Sequence, residues 1–204
     1  MARPDQSRAA LLSSAALLFR RQGYAATGVK QILKSAEATS GSLYHHFPDG
    51  KEQLAAAVVD IVADGVGRRL RGFLDSDLAV ADIVDAWIDL IIAGLSSDQR
   101  DGSPIEPIAT EAVNASPLAR TAAARAYDGW CLAVAERLRS DGWPHQVAEQ
   151  TALATVALIE GALILSRIAG DTATLNAARA AAHTLLSPAV SGDAQRNRSA
   201  RVGR

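Results

Sequence analysis

The chain has 204 residues, of which 49% are hydrophobic and 21% charged, and its formal net charge is −1. Such a chain can bury a sizeable core in one large or two small domains. A single cysteine, Cys131, excludes an intrachain disulfide framework and favours a cytoplasmic location. We expect no signal peptide, because the first residues lack an apolar segment. We also expect no membrane span, because Glu160 and Arg167 interrupt the most apolar stretch, which we interpret as a buried helix.

Charge is distributed unevenly along the chain. Residues 1–55 carry seven basic against four acidic side chains, whereas residues 56–190 carry ten basic against 17 acidic ones. A basic N-terminal region is a weak indication of nucleic-acid binding, and an accidental asymmetry is the alternative. Alanine is abundant and strand-forming residues rarely alternate, which favours an all-helical fold.

The first predicted helix runs from about Gln6 to Gln22, because apolar residues recur there at helical spacing. Gly23 follows at the position where a left-handed residue commonly ends a helix. Phe19 and Tyr24 occupy the two positions that meet in such an ending, so we predict that these side chains pack together.

Two short helices follow the first one. Thr27 is predicted to cap the second helix, whose apolar face includes Ile32 and Leu33. The third helix runs from about Ser40 to His46, and only a few residues are left for the turn before it. Two short helices joined by a tight turn and packed on a longer one match the helix-turn-helix plan.

A long fourth helix is predicted after the break at Pro48–Gly50. Asp49 and Glu52 have the spacing of a capping box at its start. The apolar pattern continues to about Phe73, so this helix is long enough to link two domains.

Five further helices are predicted from apolar stripes and the turn residues between them, at about 78–95, 107–114, 117–140, 145–169 and 173–186. Ser116 and Pro117 are a favourable helix start, and we expect Leu118 to point inward after them. Thr172 is predicted to cap the last helix. The predicted fold class is therefore all-α with about nine helices, divided into a helix-turn-helix domain of residues 1–50 and a helical domain of residues 51–190. Residues 191–204 are Arg-rich without apolar periodicity, which predicts a disordered basic tail.

The third helix has the properties of a major-groove helix. Leu43 and Phe47 are four residues apart and lie on one face, so the helix can bury them and present its other face outward. Gly41 and Ser42 near its start are small enough for the backbone to approach base edges. This pattern predicts that the third helix reads DNA.

Phosphate contacts are predicted around the same helix. Tyr44 and His45 offer an O–H and an N–H donor suited to phosphate oxygens, and the alternative is that both are ordinary surface residues. Lys51 lies in the first turn of the fourth helix, where backbone N–H groups are also available to an anion. The predicted DNA-binding residues are Thr27, Gly28, Thr39, Ser40, Gly41, Ser42, Tyr44, His45 and Lys51.

This segment resembles the signature of the TetR/AcrR family of transcriptional regulators. The resemblance is carried by Phe19, Arg20, Gly23, Tyr24 and Thr27, by the run Gly41–Phe47, and by Lys51, Glu52 and Leu54. The extra residue within Pro48–Lys51 and the run Gly102–Ile105 resemble the LmrA/YxaF-type subgroup. Glu37 departs from the family, which usually has glycine in this turn; a positive φ there costs roughly 1 kcal/mol relative to glycine.

The resemblance implies a homodimer whose C-terminal domain binds a small effector. Helices eight and nine of each subunit are expected to form the dimer interface, with packing inside one chain as the alternative role of their small residues. The expected pocket lies among helices four to eight, and its candidate residues are Trp87, Ile91, Ile108, Thr110, Tyr127, Trp130, Val134 and Leu158. Few charges fall on these stripes, so a largely apolar effector is expected. Ordinary core packing is the alternative for the two tryptophans.

Catalytic and metal-binding motifs are not found in the sequence. The adjacent His45 and His46 point about 100° apart on a helix, so they make a poor metal site. Cys131 is interpreted as a small buried hydrophobe. We expect no enzyme activity, cofactor, metal or membrane partner.

The predicted function is that of a cytoplasmic, ligand-responsive repressor that binds a pseudo-palindromic, double-stranded DNA operator as a homodimer. In this mechanism, a small-molecule effector releases the dimer from the operator. The alternatives are a ligand-independent DNA-binding activator and a helical small-molecule-binding protein with a vestigial DNA-binding end.

Overall fold

The computed structural model describes residues 4–97, 105–112 and 114–187. Within these ranges the chain is all-α, as predicted, and contains no strand. The helices are α1 (Pro4–Gln22), α2 (Val29–Ser35), α3 (Ser40–His46), α4 (Lys51–Leu74), α5 (Val80–Ser97), α6 (Glu106–Ala112), α7 (Pro117–Ser140), α8 (His145–Ala169) and α9 (Ala173–Leu186). The predicted basic tail and the residues Gly102–Pro104 of the subgroup motif lie outside the described residues.

The end of α1 confirms the prediction made for Gly23. This residue has φ +83° and its N–H donates to the carbonyl of Phe19. The rings of Phe19 and Tyr24 pack with their centroids 5.6 Å apart, and both side chains are buried. The turn thereby joins α1 to the short helices through an aromatic contact.

The start of α2 corrects the role predicted for Thr27. Gly28 is the capping residue, while the Thr27 side chain is completely buried and its hydroxyl donates to the carbonyl of Gly23 at 2.7 Å. The hydroxyl therefore closes the preceding turn instead of capping the helix. In the turn before α3, Glu37 has φ +49°, so the strain expected from the missing glycine is present.

The start of α4 differs from the predicted capping box. Gly50 is the capping residue with φ +64°, and the Asp49 N–H donates to the Gln53 side chain at 3.2 Å. Glu52 instead accepts from the backbone N–H of Leu118 at 3.1 Å, in the first turn of α7. Glu52 is therefore a capping group for another helix, which sequence spacing alone does not reveal.

The long helices among α4 to α9 pack side by side behind the three N-terminal helices. α4 lies against both α1 and α7, α7 against α8, and α9 against both α8 and α5. Ser116 caps α7 as predicted, because its hydroxyl oxygen accepts from the N–H of Ala119 at 3.2 Å. Leu118 was expected to point inward but is 43% exposed, because Ala119 occupies the buried position of that turn.

Helix α8 is only partly buried, which corrects its interpretation as a buried helix. By length and composition alone it could cross a membrane, and one third of its most apolar window is buried. One such helix is weak evidence for a span, since a core helix passes the same test. Its inner face includes Ile159 and Leu163, whereas Leu153, Leu165 and Ile168 are more than half exposed.

Arg137 of α7 holds the connection between α4 and α5. Its guanidinium donates to the carbonyls of Leu74, Ser76 and Leu78, and it also pairs with Asp141 at 3.1 Å. A partly buried fork of donors that satisfies three carbonyls fixes the path of the loop. The N-terminal part of α5 is thereby positioned opposite α4.

Candidate DNA-binding surface and effector cavity

The first turn of α3 is exposed because the opposite face of the helix is anchored in the core. Leu43 is completely buried and Phe47 is 2% exposed. Ser40 and Gly41 are exposed on the other side. The predicted division of α3 into an inner and an outer face is therefore present.

Small groups keep the backbone of α3 accessible. Thr39 caps the helix, since its Oγ1 accepts from the N–H of Ser42 at 3.2 Å. Within the described part of the chain, the nearest atom to a methyl group added at Gly41 would be Thr39 Oγ1 at 3.8 Å, so the space beside this residue is open. An approaching base pair can come close to the main chain here.

Tyr44 is 54% exposed and is held in place from below. A side chain at Gly50 would lie 3.2 Å from Tyr44 Cε1, so the phenol ring rests on the Gly50 backbone. His45 is exposed, and its ring packs edge-on against that of half-buried His46 with centroids 4.9 Å apart. The phenol of Tyr44 and the imidazole of His45 thus both reach solvent beside α3.

Lys51 lies against an aromatic ring at the start of α4. Its Nζ is 4.1 Å from the centroid of the Tyr24 ring, which gives a cation–π contact. Partial burial lowers the pKa of Lys51, while the nearby carboxylate of Glu111 opposes this shift. The cation is therefore positioned by its neighbours, with its charge close to the first turn of α4.

Two predicted DNA contacts are not supported by the geometry. The Thr27 hydroxyl is buried and already donates to a carbonyl, so it cannot reach a phosphate. The Gly28 N–H donates to Gln31 Oε1 at 3.0 Å. The same oxygen also accepts from the Gln22 side chain. The glutamine at the third position of α2 is the signal for this capping arrangement, and sequence reasoning missed it.

Helix α6 contacts the turn between α1 and α2. The carboxylate of Glu111 accepts from the backbone N–H of Ala25 and occupies the space beside Gly23, where a Cβ would overlap it. This contact joins the turn between α1 and α2 to α6, and the bond from Leu118 to Glu52 joins the start of α4 to α7.

A cavity of about 260 Å³ lies between α4, α5, α7 and α8. Four predicted pocket residues line it, namely Trp87, Ile91, Trp130 and Val134. Most of the remaining wall is aliphatic, with Val66, Leu70, Ile83, Ile159 and Leu163 among its residues. The volume lies slightly below the usual range for small-molecule sites, about 300–1,000 Å³.

The other four predicted pocket residues do not line this cavity. Ile108 is buried in α6, and the exposed Thr110 donates to the carbonyl of Glu106. Leu158 is half-buried and packs against the core away from the cavity. The Tyr127 hydroxyl donates to Glu160 Oε2 at 3.2 Å, so Tyr127 supports a lining residue from behind. The periodicity of apolar residues does not show which inward position lines a cavity and which packs against a neighbouring helix.

Sequence reasoning missed the polar part of the cavity wall. Arg20, Thr155 and Glu160 line it, as does Gly94. Thr155 and Glu160 lie on the apolar helix α8. A polar residue within an apolar stripe was therefore the sequence signal that could have indicated these lining positions. Arg20 lies on α1, far away in sequence, and gave no such signal.

Both lining tryptophans also contact α4. The indole N–H of Trp130 donates to the carbonyl of Ala63 at 3.4 Å, and its ring is edge-on to that of Tyr127. Trp87 packs edge-on against Phe73 with centroids 6.3 Å apart. Since α4 starts at Lys51, the helix that bears a candidate DNA contact also bounds the cavity.

The outer faces of α8 and α9 carry exposed apolar side chains. Those at least 40% exposed are Val147, Leu153, Leu165 and Ile168 on α8, and Leu185 on α9. Among the small residues of these helices, Ala162 and Ala178 are buried inside the chain, whereas Ala169 and Ala177 are exposed. Small residues therefore serve packing within the chain and are also present on the outer face.

Titratable groups give no sign of a metal or redox centre in the part of the chain that the structure describes. No group of three or more His, Cys, Asp or Glu residues there could hold a metal ion. Cys131 is half-buried, and burial raises the pKa of its thiol. A raised thiol pKa disfavours the reactive thiolate at neutral pH.

Two family models match the chain. The model described as bacterial regulatory proteins, tetR family, matches residues 11–58. The model described as transcriptional regulator LmrA/YxaF-like, C-terminal domain, matches residues 79–181. The first match contains α2, α3 and the start of α4, and the second contains most of the helices that surround the cavity.

Individual proteins agree with these matches. The transcriptional regulator LmrA of Bacillus subtilis is 33% identical over 170 residues, which cover 83% of this chain and 90% of that protein. The transcriptional repressor KstR2 of Rhodococcus jostii is 38% identical over 90 residues, 44% of this chain and 35% of that protein. The structure of reduced NemR from Escherichia coli superposes with a TM-score of 0.80 at 24% identity, covering 90% of this chain and 99% of that one.

Proposed function

Because the chain belongs to the TetR family of bacterial transcriptional regulators, in its LmrA/YxaF-like subgroup, we propose that it is a ligand-responsive repressor. Its relatives are DNA-binding regulators, and this chain is a regulator of the same kind rather than an enzyme. The proposal adds a mode of DNA contact, a dimer arrangement and release by an effector in the cytoplasm. The division into a DNA-binding domain of residues 1–50 and an effector-binding and dimerisation domain of residues 51–190 is part of it.

The exposed first turn of α3 is the observation that carries the proposal. Its small residues would enter a major groove, because Leu43 and Phe47 fix the helix from behind. Base edges are read by Ser40, Gly41 and Ser42. The side chains of Thr39, Tyr44, His45 and Lys51 contact phosphates on either side.

The dimer forms through the outer faces of α8 and α9. Exposed leucine and isoleucine side chains on these faces gain free energy when a second copy covers them. A two-fold dimer presents its two α3 helices to half-sites about 34–36 Å apart, or a multiple of that distance. The operator is therefore pseudo-palindromic.

Release follows from an effector in the cavity between α4, α5, α7 and α8. A molecule that binds better when the two α3 helices are incorrectly spaced for DNA shifts the dimer away from the operator. By thermodynamic linkage, operator DNA weakens effector binding by the same factor. The aliphatic and aromatic wall favours a largely apolar effector.

Two alternative functions lead to different measurements. A ligand-independent activator binds its operator with an affinity that no cavity ligand changes. A small-molecule-binding protein with a vestigial DNA-binding end binds every duplex with the same salt-sensitive affinity. The open cavity favours the ligand-responsive function over the first, and the exposed α3 edge favours it over the second.

The experiment is an electrophoretic mobility shift with the inverted repeats upstream of the gene and with a duplex recovered from a random pool. The wild type is expected to prefer the repeat over a scrambled duplex by at least a thousandfold. Tyr44→Ala is expected to lower the affinity for the operator and for the scrambled duplex about tenfold each. The reason is that a hydrogen bond to a charged group contributes roughly 1.5 kcal/mol. Equal binding of operator and scrambled duplex by the wild type would refute the proposed function.

A further inference from the structure

Helix α5 has two faces with different neighbours. Its residues Val84, Trp87 and Ile91 line the cavity. Asp85 and Asp89 are four residues apart and therefore lie on one side of the helix, and they are not among the described lining residues. A molecule in the cavity therefore touches a helix whose other side is available to bind a neighbouring element.

That neighbouring element is α9. Asp89 forms an ion pair with Arg179, and Asp85 Oδ2 lies 3.0 Å from the imidazole Nε2 of His183. Ile88, on the same side of α5, is completely buried. Partly exposed charge pairs add little free energy individually, but two successive pairs along the helix fix the register of α5 on α9. We therefore expect these two helices to move together.

Helices α5, α8 and α9 form a triangle with one open side. α9 packs against both α5 and α8, whereas α5 and α8 share only a small contact with each other. Thr155, Ile159 and Leu163 of α8 line the cavity opposite α5, so the cavity occupies the gap between these two helices. The described lining residues include none from α9. A ligand would therefore fill the open side of the triangle without touching α9.

We propose that a ligand in the cavity tightens the homodimer, because it joins α5 to α8 and thereby fixes α9, through the α5–α9 charge pairs, relative to α8. This inference rests on the proposed function, which supplies both the effector in this cavity and the dimer through α8 and α9. It adds a regulatory effect on the association of the two subunits.

The direction of the effect follows from the position of the exposed apolar side chains. Leu165 and Ile168 lie on the outer face of α8, and Leu185 lies on that of α9. A second copy must cover both faces at once, so their relative position has to be fixed when the dimer forms. A ligand that has already fixed it lowers the loss of conformational freedom on association. Release from the operator then occurs by incorrect spacing of the α3 helices in an intact dimer, and not by dissociation of the dimer.

The test is subunit exchange between dimers that carry a donor or an acceptor fluorophore at the N-terminus. The probe of the cavity is 2-methylnaphthalene, whose binding is measured separately by equilibrium dialysis. Saturation with the probe is expected to slow exchange at least about fivefold, which is the lower end of typical coupling between two sites. The dissociation rate is the appropriate measurement, because affinity changes at one interface appear mainly in that rate. Unchanged or faster exchange at saturation would overturn the inference.

The charge pairs are tested by the double variant Asp85→Asn with Asp89→Asn. It removes both pairs with α9 and nearly preserves side-chain size, so the probe is expected to slow exchange only about twofold. The ratio of exchange rates with and without probe is compared, since a merely structural effect on the dimer changes both rates alike. A full fivefold effect in the double variant would overturn transmission through these pairs.

Asp82→Asn is the matched control. Asp82 also lies on α5 and is exposed, and the ion pairs that the structure describes do not include it. The probe should slow exchange in this variant as much as in the wild type. An equal reduction of the effect in the control and in the double variant would show a general charge effect and overturn the assignment of the α9 pairs.

Amide hydrogen exchange on the wild type does not depend on the folding of any variant. It is measured at a concentration where the protein is fully dimeric with and without 2-methylnaphthalene. The probe is expected to slow exchange in α9 as well as in the helices that line the cavity. Protection confined to α4, α5, α7 and α8 would overturn the inference.

Failure of this inference can be distinguished from failure of the proposed function. If the probe releases the operator but leaves subunit exchange unchanged, the inference is refuted and the proposed function stands. If the probe does not bind at all, the cavity is not an effector site, and the inference and the proposed release by an effector both fail.

Discussion

The three N-terminal helices and the helices from α4 onward use their cores in opposite ways. Around α3 the core is filled, and completely buried Phe19, Leu43 and Ile32 hold a small polar edge out to solvent. Between α4, α5, α7 and α8 the core is left open around a cavity of about 260 Å³. The first region needs rigidity to present an edge, and the second needs an unfilled space that a ligand can complete.

This difference explains why two glycines with similar surroundings have different roles. Among the residues that the structure describes, an added Cβ at Gly41 would meet one atom, at 3.8 Å, and one at Gly94 would meet none within 4 Å. The space beside Gly41 is solvent at the α3 edge, whereas the space beside Gly94 is the cavity. Four variants, ordered by expected effect, test the contrast between filled and open core.

The largest effect is expected for Phe47→Ala. The side chain is 2% exposed, and truncation of a buried phenylalanine costs about 3–5 kcal/mol of unfolding free energy. Urea denaturation should show this loss of unfolding free energy. A mobility shift should show that the variant also loses operator binding. Tyr44→Ala is the control, since removal of a half-exposed ring should change the unfolding free energy by less than about 1 kcal/mol. Similar stability losses in the two variants would remove the distinction between core and edge.

The next effect is expected for Gly41→Leu. The open space at this position allows the variant to fold, but the new side chain separates the α3 backbone from base edges. Operator affinity should fall by about 1–3 kcal/mol per half-site, measured by fluorescence anisotropy of a labelled duplex. Binding of 2-methylnaphthalene, used as an apolar probe of the cavity, should not change. Unchanged operator affinity in a folded variant would mean that this edge does not enter the groove.

Gly94→Leu is the complementary change in the other region. Its side chain should fill part of the cavity and lower the affinity for 2-methylnaphthalene at least tenfold, as equilibrium dialysis would show. Operator affinity in the absence of ligand should stay at the wild-type value. Gly72→Leu, at an exposed position of α4, is the control for helix propensity, and it should leave ligand affinity unaltered. A ligand affinity that survives Gly94→Leu would place binding elsewhere.

The smallest effect is expected for Glu37→Gly. Its φ of +49° strains a side-chain-bearing residue, and glycine adopts this conformation freely. The variant should gain roughly 1 kcal/mol of unfolding free energy in thermal or urea denaturation. Glu37→Ala, which keeps the Cβ, should gain nothing. If Glu37→Ala raised the unfolding free energy by the same amount, the lost charge and not the backbone strain would be the cause.

Much of the N-terminal region could be predicted from sequence because its signals are local. Gly23 ends α1 and Leu43 and Phe47 turn inward, as their spacing indicated, and Glu37 takes a positive φ at the position where the resembled family usually has glycine. One of the errors concerns a polar group whose partner lies far along the chain. Glu52 has the spacing of a capping box at its own helix, yet it caps α7 across 66 residues.

The cavity was only half predictable for the same reason. Trp87, Ile91, Trp130 and Val134 lie on apolar stripes and line it, because an inward stripe is a periodic property. Which inward position faces a void and which faces a neighbouring helix depends on how the helices pack. Arg20 comes from a different part of the chain, and only the folded arrangement brings it to the cavity wall.

Hydroxyl-radical footprinting on a recovered operator tests most directly whether α3 enters the major groove in a two-fold dimer. Two protected half-sites are expected on one face of the duplex, with centres about 10–10.5 base pairs apart or a multiple of that spacing. Gly41→Leu should abolish both half-sites together, and Gly94→Leu should leave both intact. A single protected site, a spacing that places the half-sites on opposite faces, or uniform protection of the duplex would contradict this arrangement.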